Sequence, residues 1–337
     1  MKIENAIIKR INQHHESKQE QPRHHLGCSQ LGEKCERKLW LSFRWATIEK
    51  FEGRLLRLFR RGHNEESVIV SDLKAAGLRI THTGLNQYNV DFGCHVAGSL
   101  DGIIQHGVPN APTKKHTLEI KTHNKKSFDA LEKEGVEASK PMHYVQTQCY
   151  MRGAKIDRCL YVAVCKDDDR LYIERIKLDE SVADKHIEKG KRIAMTERLP
   201  APISNNASWY ECKMCPSHSF CHSEQLTKEV NCRTCAHSTP KEDNTFFCER
   251  WAETIPKQNQ IDGCPSHVLH PDLVPWQMLD SDFEWSAKYL IDGDEVINGF
   301  DGFSSAELIA NPRACAKIKS DPVASDLMKT FNARVIG

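Results

Sequence analysis

The chain has 337 residues, with 47 Lys and Arg against 46 Asp and Glu, so its formal net charge is only +1. That balance excludes a general electrostatic pull toward nucleic acid or membrane, and any such affinity must come from local patches. Charged residues at 28% and hydrophobic ones at 39% are ordinary for a globular protein; the length predicts a sizeable core plus a smaller module, and no run approaches the ~18 apolar residues of a membrane span.

The opening stretch, MKIENAIIKRINQHHESKQ, lacks the apolar core of a signal peptide and reads as a short amphipathic helix. The expected location is therefore cytoplasmic. In that reducing setting the 14 cysteines, where clustered, predict metal ligands before disulfides. A helical pattern runs through Arg37–His63, with Leu39, Leu41, Phe43, Leu55, Leu56, Leu58 and Phe59 as its apolar positions. Strand-like runs follow at Leu78–Thr83, Tyr88–Phe92, His95–Ile104 and Thr117–Thr122, then a helix around Lys140–Arg152. Arg158–Cys165 and Arg170–Ile176 flank the turn Asp167-Asp168-Asp169, a hairpin signal, and Ser181–Thr196 returns to helix. The order α-β-β-β-α-β-β-α predicts an α/β fold with a mixed sheet flanked by helices. Past Leu199 the texture turns to Pro, Asn, Ser and closely spaced Cys until about Pro275, with a short polar tail after it. The expected boundary lies near Gln225, giving a first domain over 1–225 and a Cys-rich module over 226–337. No solenoid repeat or low-complexity tract is present.

Gly98-Ser99-Leu100-Asp101-Gly102 precedes Leu118-Glu119-Ile120-Lys121. Residues two apart in a strand share a face, so Glu119 and Lys121 point one way and Leu118 and Ile120 the other. If the two strands pair, two carboxylates converge beside an amine. Hard oxygen ligands of this kind select Mg²⁺ or Mn²⁺, and a lysine beside them suits a phosphodiester, whose charge grows during attack. Taken alone the triplet is also what an exposed strand with a surface ion pair looks like.

Upstream stand His63 and Glu66, and downstream Gln146-Thr-Gln-Cys-Tyr150. At these four points the chain resembles the RecB-like branch of the PD-(D/E)xK nucleases, including phage-type exonucleases. The resemblance implies a restriction-endonuclease-like central sheet and a metal site of His63, Asp101, Glu119 and the Ile120 carbonyl. It implies Lys121 as the catalytic amine, and Gln146 and Tyr150 lining the DNA side. Glu66, one helical turn from His63, either joins the metal site or is an exposed helical carboxylate. The implied activity is hydrolysis of DNA, most simply as an exonuclease in recombination, repair or phage DNA processing, in a host cytoplasm if phage-encoded.

Cys212, Cys215 and Cys221 form a C-x2-C-x5-C array that needs a fourth ligand, for which Cys35 is the first candidate and Cys28 the second. One distant cysteine plus this array resembles the iron–sulphur nucleases, among them AddB-type helicase–nuclease subunits and CRISPR-adaptation nucleases, and implies a structural [4Fe–4S] cluster. The spacing leaves Zn²⁺ open. Cys232, Cys235, Cys248 and Cys264 make a second set, a zinc-ribbon-like knuckle, with His237, His267 and His270 as substitutes for one sulphur. Cys94, Cys149, Cys159 and Cys165 read as small buried hydrophobes.

Arg54, Arg57 and Arg61 recur at helical spacing before His63, and Lys125 and Lys126 follow the E-x-K strand; both sets are candidates for phosphate contact or plain solvated surface. The expected partner is DNA, with no membrane. Because the chain has no G-x4-G-K-[ST] loop, a helicase, recombinase or single-strand-binding protein would be a separate chain. The alternative is a catalytically silent nucleic-acid-binding or zinc-dependent assembly protein on the same fold.

Overall fold

The computed structural model describes residues 3–280 and 285–336. In chain order its elements are α1 (Ile3–Glu16), β1 (Leu26–Gly27), α2 (Glu36–Phe43), α3 (Gly53–Ala75), β2 (Arg79–Thr81), β3 (Asn89–Asp91), β4 (Val96–Ser99), β5 (Gly102–His106), β6 (His116–His123), α4 (Lys125–Ser139), α5 (Pro141–Ala154), β7 (Arg158–Cys165), β8 (Leu171–Lys177) and α6 (Glu180–Met195). They continue as α7 (Tyr210–Lys213), β9 (Ser238–Pro240), β10 (Phe246–Cys248), β11 (Glu253–Ile255), β12 (Gln277–Asp280), β13 (Ala287–Ile291), β14 (Asp294–Asn298), α8 (Ser305–Ala310), α9 (Pro312–Ser320) and α10 (Pro322–Phe331). The fold is mixed α/β.

The chain divides into two compact units, Met1–Glu33 with Lys50–Arg192, and Lys34–Glu49 with Ile193–Gly337. This division falls near residue 192, and it places α2 with the second unit. The first unit is built on a five-stranded sheet in the order β2-β5-β6-β7-β8. β6 and β7 run parallel, joined by a crossover through α4 and α5, and the other pairs are antiparallel. The strict alternation along β6 sends Leu118 and Ile120 to one face, where they pack with Leu160, Val162 and Val164 against Ile69, Val70 and Leu73 of α3. On the opposite face, Tyr161, Ala163 and Cys165 pack with Phe128, Leu131 and Met151 of α4 and α5. Each large apolar side chain so buried contributes roughly 1.5–3 kcal/mol before entropy is counted.

Three expectations are corrected here. The helix read through Arg37–His63 is broken, because the chain leaves α2 at Phe43 and re-enters helix at Gly53. Trp45, at φ 50°, is buried beside Arg233 in the second unit, and this burial ends the helix. The strand read over His95–Ile104 switches sheets: β4 pairs with β1 and β3, whereas β5 pairs with β2 and β6. Finally, the residues past Pro275 are no polar tail. β12, β13 and β14 form an antiparallel meander whose inward residues Ala287, Tyr289, Ile291 and Val296 pack with Leu308, Cys315 and Ala316 of α8 and α9.

Candidate active site and thiol clusters

Asp101 occupies the switch between β4 and β5, and its Oδ2 accepts from the Ile120 N–H at 2.8 Å. That bond clamps the loop carboxylate onto the centre of β6. Glu119, 1% exposed, receives a hydrogen bond from Lys121 on Oε1, while its buried Oε2 has no partner among the described residues. Desolvation pushes the Glu119 carboxyl up to about 8, with Lys121 opposing and Asp101 and Glu66 adding to the rise. Burial likewise raises Asp101, against the pull of Lys121, the Ile120 N–H and His63. Glu66 is raised by burial and then by Asp101, and lowered by His63 and Lys121. The structure therefore brings His63, Glu66, Asp101, Glu119 and Lys121 into one electrostatic neighbourhood. Glu66 is half-buried there.

Gln146 and Tyr150 lie one turn apart on α5, both buried, with Gln146 Nε2 donating to Tyr150 Oη at 3.2 Å. Burial and then Glu119 hold the Tyr150 phenol well above its usual value. The close seat of Tyr150 requires glycine at 98: a Cβ there would lie 2.7 Å from Tyr150 Cε1 and 2.9 Å from Cys28 Sγ. Lys125 instead bridges Asp129 and Asp168, at 3.5 and 3.9 Å, in a patch that also engages Arg170, and Lys126 is exposed on the first turn of α4.

Sequence reading missed a second polar group on the same sheet face. Tyr161 stands opposite Glu119 in the parallel ladder, and its hydroxyl lies 2.8 Å from His143 Nδ1 and 3.2 Å from His123 Nε2. His123 Nδ1 lies 3.1 Å from Ser127 Oγ. The signal was present, since Glu119, Lys121 and His123 alternate along one strand and must share a face.

The two cysteine sets both fall within the second unit. The thiol of Cys212 is raised by burial and then by Cys35 and Cys215. Cys221 is raised by burial and by Cys215 and Cys35, with Arg37 opposing. Cys28 stands elsewhere: it is buried in the first unit, its Sγ donates to the Ala97 carbonyl at 3.4 Å, and the neighbouring Cys149 thiol and burial hold its thiol far up. Cys232 is pushed up to about 12 by burial and then by Cys235, Cys264 and Cys248. Cys235, pushed up to about 11 by burial, accepts on sulphur from the Val268 N–H at 3.5 Å and from the His237 N–H. Two amide donors on one buried sulphur favour thiolate, the form a metal needs. The histidine substitutes have other duties. His267 is held between Thr234 Oγ1 and Ser305 Oγ at 3.1 and 2.8 Å, His237 Nε2 lies 3.0 Å from the Trp285 carbonyl, and His270 Nδ1 accepts from the Asp272 N–H at 3.2 Å. Among the described residues no three His, Cys, Asp or Glu side chains already stand in an ion-holding arrangement. Of the other cysteines, Cys149, Cys159, Cys165 and Cys315 are buried and Cys94 is half-buried.

No protein-family model and no curated protein sequence matches the chain. Among solved structures it is similar to SSO0001 at 17% identity and a TM-score of 0.38, covering 66% of this chain and 96% of that one. It is also similar to an alkaline exonuclease, LHK-Exo, from Laribacter hongkongensis at 17% identity and a TM-score of 0.35, covering 54% and 90% respectively. The same exonuclease in complex with dAMP aligns at 14% identity and a TM-score of 0.35, covering 55% and 90%. No described helix is long and apolar enough to cross a membrane.

Proposed function

We propose that this chain is a metal-dependent deoxyribonuclease of the PD-(D/E)xK type, acting as an exonuclease on DNA. The observation that carries this reading is Glu119: a buried carboxylate with one bare oxygen, beside Asp101, Glu66 and Lys121, with His63 acting on Asp101 and Glu66. A desolvated carboxylate resists ionisation unless a cation stands against it, and the donor set is oxygen-rich with one imidazole, which suits Mg²⁺ or Mn²⁺. Asp101, Glu119 and His63, with Glu66 and the Ile120 carbonyl, would hold such an ion; when bound, it supplies Lewis acidity at the phosphodiester and a lowered pKa for water. Lys121 carries donors only. It would stabilise charge developing on the phosphoryl oxygens, and its bond to Glu119 aims it. Gln146 and Tyr150 hold α5 against this face and would order the substrate strand, with Lys125 and Lys126 kept as lesser candidates for phosphate contact.

The same reading takes Cys35, Cys212, Cys215 and Cys221 as ligands of a [4Fe–4S] cluster and Cys232, Cys235, Cys248 and Cys264 as ligands of Zn²⁺, both structural. The mutual perturbation within each set supports this partition. Any helicase, recombinase or single-strand-binding partner would be a separate chain.

The test is digestion of linear and circular DNA with Mn²⁺ by wild type and Glu119→Ala. Loss of linear DNA alone, abolished in the variant, is the expected result. Wild type that binds DNA but leaves every substrate intact would end the catalytic reading. Anaerobically purified protein should be brown with broad absorbance near ~400 nm; colourless protein containing zinc alone would remove the iron–sulphur part.

A further inference from the structure

The helix pair α1–α3 concentrates positive charge beside the carboxylates, and the active-site reading makes no use of it. α1 packs along the first half of α3. Asn12 Oδ1 accepts from Arg57 at 2.9 Å, Glu16 Oε1 accepts from the Gly53 N–H at 2.8 Å, and Gln19 Oε1 accepts from the Phe51 N–H at 2.8 Å. Gly53 is required by this approach, because a Cβ there would fall 2.4 Å from the Asn12 Cα. The packing sets Arg57 and Arg60 of α3 beside the last turn of α1. His15 is held below the ordinary imidazole value by desolvation and then by Arg60, His14, Arg57 and Lys18, so Arg57, Arg60 and Lys18 surround this turn with fixed positive charge. Glu16, the acid of that turn, is already committed to the Gly53 amide. At the other end Arg61 donates to the Lys166 carbonyl at 2.9 Å, which brings a further lysine alongside at the end of β7. Two turns of α3 beyond Arg57 stand His63 and Glu66.

We propose that Lys18, just past the end of α1, with Arg54, Arg57, Arg60 and Arg61 of α3, forms the surface that grips the DNA backbone on its way to the carboxylate cluster. The inference rests on the nuclease reading and adds where the substrate lies. From Arg54 to His63 the helix rises roughly 13 Å, the axial length of about four nucleotides of one duplex strand. Cations that hold phosphates without reading bases suit an enzyme that must move along any sequence. Exposed isoleucines at 3, 7, 8 and 11 on the same α1 make an anionic lipid surface the competing partner. DNA is favoured because the charge continues along α3 to the carboxylates.

The test is binding of a fluorescein-labelled DNA duplex to the full chain, by anisotropy across a salt series, with Ca²⁺ in place of Mg²⁺. Lys18→Gln/Arg60→Gln should weaken binding roughly tenfold and flatten the plot of log K against log salt by about 1.8, at about 0.9 per phosphate contact. Lys18→Arg/Arg60→Lys should restore both, and the exposed pair Lys257→Gln/Lys329→Gln, an equal change in charge elsewhere, should alter neither. Wild-type slope and affinity in the Gln variant would overturn the proposal, as would an equal loss in the control pair. So would a loss seen only with vesicles of anionic phospholipid. The two readings fail separately. A chain that binds through these residues but cuts nothing loses the nuclease and keeps the surface; a chain that cuts while the variant binds normally does the reverse.

Discussion

Tyr161 shows how one hydroxyl can tie the strand of Glu119 and Lys121 to the helix that faces it. Its oxygen serves His123, at the end of β6, and His143, on the first turn of α5. Burial keeps both imidazoles neutral: His123 is pushed down to about 4, with Lys140 and Lys121 adding to the effect, and His143 to about 3, with Lys121 and His123 adding. These folded values lie below the ~6.5 of an unfolded histidine. As pH falls, the unfolded chain therefore takes up protons first. Stability from this pair is fully present above about 6.5 and declines toward 4 by up to ~1.4 kcal/mol per pH unit for each histidine. His143→Gln preserves a partner for Tyr161 and removes one titration. Its unfolding free energy, measured by denaturant melts from pH 7 to 4, should fall less steeply by about one proton; an unchanged slope would show that His143 does not titrate with folding. Tyr161→Phe strands two buried nitrogens, so it should cost about 1–3 kcal/mol by urea denaturation and slow DNA cutting several-fold through a misplaced α5. Full cutting with lowered stability would confine the hydroxyl to a structural role.

At the scale of elements, α5 meets β4 where Gly98 lies under the Tyr150 ring. Gly98→Ala has no room, and overpacking of this kind costs about 1–3 kcal/mol. The variant should melt at lower denaturant and, because Tyr150 must move, cut DNA more slowly at saturating substrate; unchanged cutting would detach Tyr150 from catalysis. The elements that place this site were legible for a local reason. Asp101-Gly102 and the alternating Leu118-Glu119-Ile120-Lys121 carry their facing in a period of two, which needs no distant contact to interpret. The break between α2 and α3 was not legible. Residues 44–52 hold neither Gly nor Pro, and the helix ends there because Trp45 and Ala46 are buried elsewhere, with Thr227 Oγ1 donating to the Ala46 carbonyl at 2.8 Å and Asn231 Nδ2 to that of Trp45 at 3.2 Å. Only tertiary structure contains that information. The hairpin of β13 and β14 is a different kind of miss. Asp292-Gly293 is a strong two-residue turn signal, and both residues take positive φ, 51° and 93°, so the polar texture around it hid a readable element.

Taken whole, the molecule divides its apolar cohesion unevenly between its two units. The first unit has apolar clusters on both faces of its five-stranded sheet. Among the described residues the second has such a cluster around Leu269 and Tyr289, and it carries the two proposed sets of four cysteines. Cys232 and Cys235 sit in the loop that also carries Arg233, whose guanidinium stacks on Trp45 and Phe246 at 3.9 and 4.4 Å and donates to the Phe43 carbonyl at 2.8 Å. The Cys232–Cys235 turn therefore grips the segment after α2, and Cys35, a proposed ligand of the other set, is the residue just before α2. If both sets are metal centres, emptying the knuckle should loosen the hold on Cys35 as well. Cys235→Ser, purified anaerobically, should lose zinc and, in the same preparation, part of its iron. Hydrogen exchange should then show faster exchange at Leu269 and Tyr289, while Leu118 and Val162 in the first unit keep their protection. Structural zinc contributes several kcal/mol or more to small modules, enough to melt the second unit selectively. Iron content equal to wild type would mean that the segment after α2 holds Cys35 without the knuckle. Uniform loss of protection would mean that the two units unfold as one.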